Sequence, residues 1–237
     1  MNYSLAKLII IYFLFLLLIT TSRECLAQQS IIIIPSTDTA AAGKTSIKTT
    51  TTFRPFRAEF IATAPTITQG LGFNTEVYLG VPIVIKRNTV FNDFDSNVNL
   101  NFGIKKAAVL TKTTRIAIGT QMTPSLQIAN TPRNFTYIII SQQLPKTGSK
   151  FTSGMYLRNG VAFMPSVHGV LLGFEQSIIK NKLAVAADWT SRNEPYGLLG
   201  TGLIFKPNVT TTIKSGVLIP NGSKSVFAFI VSISKTF

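Results

Sequence analysis

Residues 225–237 read Ser-Val-Phe-Ala-Phe-Ile-Val-Ser-Ile-Ser-Lys-Thr-Phe. Phe227, Phe229, Val231, Ile233 and Phe237 share one parity; Val226, Ala228, Ile230, Ser232, Ser234 and Thr236 share the other. Period 2 is the signature of a strand. One face is large and apolar, the other mostly small or polar. A soluble sandwich turns its large apolar face inward, whereas a membrane barrel sets apolar side chains on lipid and polar ones in its lumen. The rest of the chain has to decide between these two arrangements.

The same alternation recurs along the chain. Strands are expected at 44–53, 57–68, 74–82, 97–110, 115–122, 133–144, 151–163, 169–179, 183–190, 195–205, 209–219 and 225–237. In the clearest, Phe102 and Ile104 oppose Asn101, Gly103 and Lys105; in 183–190, Val185, Ala187 and Trp189 oppose Ala184, Ala186 and Asp188. Phe135, Tyr137 and Ile139 fall together on one face of 133–144. Short connections near Gly72, Lys112, Lys146, Asn181 and Asn208 alternate with others near Arg54, Asn92, Asn130, Pro165, Asn193 and Asn221, several of them longer. The face opposite the apolar one is rich in Gly, Ala, Ser and Thr, and only 14% of the chain is charged. A soluble exterior usually carries about a quarter to a third charged residues. The fold expected is therefore all-β: an antiparallel transmembrane up-and-down β-barrel of about twelve strands (roughly 10–14). The strand at 225–237 closes it against 44–53.

The first residues set the compartment. Lys7 precedes an apolar run at 8–19, and Cys25-Leu26-Ala27 offers a peptidase site before Gln28. Residues 1–27 thus read as a signal peptide cleaved near Ala27. Residues 28–43 read as a periplasmic leader, most simply a loose tail, with insertion of 31–42 into the lumen as the other reading; 44–237 form the barrel. Beyond Cys25 there is no cysteine, so no disulfide framework is expected. The formal charge of +14 suits anionic partners. Export, and the lack of any basic cluster interleaved with aromatics, exclude nucleic acid.

With a cleaved-type leader, alternating strands and a terminal Phe237, the chain resembles bacterial outer-membrane β-barrel proteins of the porin-like kind. That resemblance implies a Gram-negative outer membrane, with its lipids and lipopolysaccharide as surroundings. It also implies that Phe229, Val231, Ile233 and Phe237 form the signal read by the barrel assembly machinery. Lys235 departs from that pattern, which favours an apolar or aromatic residue, although a lysine at an interface can snorkel. Ile34-Pro35-Ser36-Thr37-Asp38 and residues 188–200 are similar to small members related to phenol-degradation outer-membrane transporters.

By parity the lumen receives the bases Lys105, Arg115, Arg158 and Lys214 and the acids Glu76, Glu175 and Asp188. They can pair across the lumen, because an isolated charge in a confined space is costly, and the surplus of bases favours anionic solutes. Lys86, Arg87, Lys146, Lys150, Lys180 and Lys182 fall at strand ends and turns, where they suit head-group phosphates. His168 lies two residues from Ser166, but Pro165 and Gly169 flank them and predict a loop rather than a nucleophile–base pair. One histidine and no later cysteine exclude the usual zinc patterns. Gly70-Leu71-Gly72 precedes a strand and serves a turn, so no cofactor is expected. The reading is a passive channel or transporter for small solutes, tilted toward anions, and not an enzyme. The alternatives are a non-conducting structural or adhesion barrel, its lumen filled by side chains or by 31–42, and a lipid hydrolase built on His168.

Overall fold

A computed structural model describes residues 30–54, 60–88, 93–124, 133–159, 167–192, 197–222 and 226–237. The expected signal peptide and its cleavage point near Ala27 lie outside the described residues. The strands are β1 (Thr45–Arg54), β2 (Phe60–Gly72), β3 (Thr75–Gly80), β4 (Ile83–Asn88), β5 (Asp93–Val98), β6 (Asn101–Val109) and β7 (Thr114–Thr123). They continue as β8 (Arg133–Leu144), β9 (Ser149–Arg158), β10 (Val167–Ile179), β11 (Leu183–Thr190), β12 (Leu198–Phe205), β13 (Thr211–Pro220) and β14 (Ala228–Thr236).

From β6 to β14 neighbours in sequence are neighbours in the sheet, and every pair in the barrel's described strands is antiparallel. β1 pairs with both β2 and β14, so the sheet closes on itself. The closing register runs from Ser46 opposite Thr236 to Phe53 opposite Phe229. The Phe237 amide donates to Thr45 O at 2.8 Å and finishes the seam. Closure at this seam pairs the backbone of β1 on both sides, as a wall without water at its outer surface requires.

Two of the wall strands are interrupted. β2 pairs with β3 along its second half and with β4 along its first, so β3 and β4 are successive pieces of one strand. β6 and β5 are the matching pieces of the next. Pro82 sits at the first break and has no amide to give a ladder. The neighbouring groups are still paired: Val81 N donates to Pro65 O and Asn99 N to Pro82 O, both at 2.9 Å. Counted this way the barrel has twelve strands, the expected number. The expected strand at 74–82 is corrected in one respect: it resumes after Pro82, and Ile83–Asn88 and Asp93–Val98 belong to the wall rather than to a connection.

The faces are inverted relative to a soluble barrel. Ile118, Ile138, Leu203 and Ile233 are 54%, 46%, 47% and 52% exposed, while their chain neighbours Ala117, Ile139, Ile204 and Ser232 are buried. Such residues recur on most strands and make an apolar belt far beyond the patches that soluble monomers expose. Among the described residues no helix is long and apolar enough to span a membrane; the crossing elements are strands. In β8 the alternation alone was ambiguous, because Ile138, Ile139 and Ile140 occupy both faces. Tyr137 and Ile139 turn inward there, and Ile138 and Ile140 turn out. Ile138→Arg is therefore expected to destabilise the barrel by about 2–4 kcal/mol when urea unfolding is followed from phospholipid vesicles. An exposed position on a soluble barrel would change stability by only about 0.5 kcal/mol, and such a small effect would contradict the lipid-facing assignment.

Candidate functional site: a lumen filled by the leader

The leader does not run off as a tail. From Ser30 to Ala40 it lies inside the barrel, and Ile31, Ile34, Ser36 and Thr37 are buried. Its first part is a tight turn. Ser30 and Pro35 form an isolated bridge, and Ile31 N donates to Ile34 O at 2.9 Å. The turn aims three consecutive amides, those of Ile32, Ile33 and Ile34, at one oxygen. That oxygen is Asp188 Oδ2 on β11, at 2.7, 2.8 and 3.1 Å. Successive amides converging in this way form an anion-binding concavity, and here a wall carboxylate fills it. On the carbonyl side of the same turn, Lys214 Nζ on β13 donates to Ser30 O and to Ile31 O, the latter at 2.9 Å. An acid and a base from neighbouring parts of the wall thus satisfy the two polarities of one turn.

The apolar side chains of the turn complete a core within the lumen. Ile31 and Ile34 join Ile139, Tyr156, Leu171 and Ile204 in one buried cluster. Gly173 on β10 makes room for them: a Cβ there would stand 2.5 Å from Ile31 Cδ1 and 2.9 Å from Ile34 Cδ1. Gly70 plays the same part for Ala41, whose carbonyl a Cβ would strike. The sequence reading of Gly70 as turn chemistry thus omits its second role as a seat for the leader.

The later part of the leader is held by charge. Lys105 and Glu76, opposite each other on β6 and β3, make an ion pair at 2.9 Å with both side chains 2% exposed. Neither spends all its capacity on the other. Lys105 Nζ also donates to Ser36 O at 3.2 Å and to Asp38 O, while Glu76 Oε2 accepts the Ala40 amide at 2.6 Å. The Asp38 side chain meets Lys150 at 2.7 Å and Arg115 at 3.2 Å. Thr37 and Ser141 share a hydrogen bond at 2.6 Å between their hydroxyls.

The structure therefore brings most of the sequence-predicted lumen residues onto one object. Glu76, Lys105, Arg115, Asp188 and Lys214 all contact the leader. Glu175 reaches it indirectly, its carboxylate 3.8 Å from Lys150. Arg158 stands apart, with its guanidinium 5.1 Å from the Phe135 ring centre. Of the terminal residues, Val231, Ile233 and Phe237 are exposed on the outer face beside a partly covered Phe229, and Lys235 lies over the Phe237 ring at 5.2 Å. Sequence reasoning left out Lys150, assigned to a turn, as well as Asp38 and Lys48. Lys150 and Arg158 share parity on β9, and Lys48 shares the parity of buried Ser46 on β1, so the signal was present for both lysines. His168 lies within β10, opposite Leu157, rather than in a loop, and its Nε2 is 3.3 Å from Arg192. Ser166 lies outside the described residues.

The Asp38 carboxyl is pushed up by burial, but Lys150 and then Arg115 outweigh that and hold it well below the usual carboxylate range. A carboxyl depressed on docking stabilises the docked leader fully above about pH 4, its unperturbed value. That contribution fades only as the pH falls further toward the depressed value. Protease protection of the leader is expected to hold from pH 7 to pH 5 as far as Asp38 governs it. Loss of protection in Asp38→Asn at pH 7, matching the wild type at strongly acidic pH, is the check.

The leader separates two cavities. One, of about 330 Å³, lies between leader residues Ile32, Ile33 and Pro35 and the walls of β1, β2, β3, β6 and β7. The other, of about 210 Å³, lies beside Asp38, Lys150 and Glu175 toward the short turns. A larger concavity of about 520 Å³ is mainly on the outer wall, around Phe151, Leu172 and Trp189.

No family model matches the sequence, and no curated protein matches it. Two solved structures are similar in shape. The low-pH structure of Pseudomonas putida OprB is 6% identical with a TM-score of 0.46, over 82% of this chain and 91% of that one. The translocator domain of the autotransporter NalP from Neisseria meningitidis is 11% identical with a TM-score of 0.42, over 82% of this chain and 87% of that one.

Proposed function

We propose that this chain is an outer-membrane barrel serving as a passage for small solutes, tilted toward anions, with its own leader as a removable plug. One observation carries the proposal: among the described residues, the leader between Ser30 and Ala40 is bonded to wall side chains, not to the wall's backbone ladder. The sheet closes through β1, β2 and β14 without it. Removing the plug therefore breaks no strand pair. Among the described side chains the lining it would uncover is basic, since Lys48, Lys105, Arg115, Lys150, Arg158 and Lys214 face fewer acids, namely Glu76, Glu175 and Asp188 once Asp38 leaves with the leader.

A second reading has an observation of its own. The apolar cluster of Ile31, Ile34, Ile139 and Leu171 resembles a permanent core, as a non-conducting structural barrel requires. Conductance in planar bilayers separates the two. Full-length protein is expected to conduct little. A variant lacking residues 30–42, shown to be folded by its compact band in unheated SDS, is expected to open a stable pore that prefers chloride to potassium. A folded variant that stays silent supports the structural barrel and overturns the passage; a pore preferring cations overturns the anionic tilt.

A further inference from the structure

The 330 Å³ cavity holds a cation that the plug does not use. Lys48 on β1 lines it and is half-buried. Among the described residues its ammonium has neither a hydrogen bond nor a salt bridge, unlike Lys105, Arg115, Lys150 and Lys214. The acid lining the same cavity, Glu76, is already committed on both oxygens, one to Lys105 and one to the Ala40 amide. Lys48, Lys105 and Glu76 together leave one positive charge uncompensated. A lysine confined without a partner is costly, and one added negative charge would offset that cost.

The remaining walls define what carries that charge. Tyr78 and Tyr137 reach across to Gly103 on β6 and Gly119 on β7, where a Cβ would strike the phenol end of each ring. Both side chains line the cavity. Ile33 and Pro35 of the leader form an apolar surface of the same cavity. The volume is at the small end of ligand pockets, so the occupant is fragment-sized.

We infer that this cavity binds a small organic monoanion with a flat apolar body, its carboxylate on the Lys48 ammonium and its body between Tyr78, Tyr137 and the leader. The site lies on the route proposed above and rests on that reading for how the ligand arrives. It also makes the leader part of the site, so that the ligand and the docked plug favour each other.

Benzoate is the probe, titrated by calorimetry into full-length protein folded in detergent micelles, with benzyl alcohol as its uncharged counterpart. Saturable benzoate binding is expected, with benzyl alcohol at least about tenfold weaker, as the loss of a charge-assisted hydrogen bond dictates. Lys48→Gln is expected to weaken benzoate by about tenfold or more and to leave benzyl alcohol unchanged, and Lys48→Arg to restore most of the difference. Comparable compact bands in unheated SDS establish that the variants are folded, and Lys48→Arg carries the test if the glutamine variant is not. No saturable binding, equal binding of the two probes, or benzoate affinity indifferent to Lys48→Gln overturns the site. Binding in micelles needs no conductance, so this result and the bilayer result can fail separately.

Discussion

Asp188→Ala is expected to free the leader while leaving the barrel closed. The side chain is buried, and one of its oxygens accepts three leader amides. Truncation removes all three charge-assisted bonds at once and strands the amides in a lumen lined there by Ile31, Ile34 and Leu171. It also removes negative charge from the surroundings of Lys214, which caps the same turn. Breaking a buried charged contact of this kind costs about 3–5 kcal/mol, or roughly a hundred- to several-thousandfold in the ratio of docked to released leader. The wall loses no ladder bond, because β11 pairs with β10 and β12 through its backbone. The expected result is rapid protease cleavage within residues 30–43 of folded protein, located by mass spectrometry, with the compact band of the barrel retained. Asp188→Asn is expected to fall between, since its carbonyl oxygen still accepts but carries no charge. A leader as well protected in Asp188→Ala as in the wild type would remove Asp188 from its role as anchor.

That anchor was only half legible in the sequence. Parity placed Asp188 in the lumen, because Val185, Ala187 and Trp189 mark the opposite face of β11. Parity likewise predicted the Glu76–Lys105 face, and the even count of alternating strands predicted the β1–β14 closure. What it could not supply was the partner. Alternation is a local property, whereas Ile32 and Asp188 lie 156 residues apart. Four isoleucine-rich positions followed by Pro35 look the same whether they end as a loose tail or as a buried turn. The expectation that the lumen charges pair with one another held only in part, for a related reason. Glu76 and Lys105 do pair, but their spare capacity, and most of Asp188, Lys214 and Arg115, is taken up by backbone and side-chain groups of the leader. Pairing arguments that consider only side chains overlook the peptide groups, which are as polar and as costly to bury unpaired. The continuation of the wall past Pro82 was missed because a proline marks a strand's end in most settings. Here Asn99 and Val81 bridge the gap instead.

The second large effect concerns the pair itself. Glu76→Gln leaves the Lys105 ammonium inside the barrel with, among the described residues, only the Ser36 and Asp38 carbonyls as direct partners. Lys105→Met leaves a buried carboxylate with the Ala40 amide as its one partner among the described residues. Each single change is expected to destabilise the protein by about 3–5 kcal/mol, because it uncovers a charge rather than merely deleting a bond. The double variant Glu76→Gln/Lys105→Met removes both charges and exposes neither. It is expected to be less destabilised than the sum of the singles by about 1–3 kcal/mol, the coupling typical of groups in direct contact. The one tryptophan, Trp189 on β11, reports urea unfolding from vesicles in all four proteins. The leader then discriminates between the singles. Lys105→Met loses contacts at Ser36 and Asp38, whereas Glu76→Gln loses the charge at Ala40 but keeps an acceptor there. Lys105→Met is therefore expected to expose the leader to protease more than Glu76→Gln does, even at similar overall stability. Additive singles would mean that the two charges act independently despite their 2.9 Å separation. Equal leader exposure in the two variants would mean that Lys105 supports the wall and not the plug.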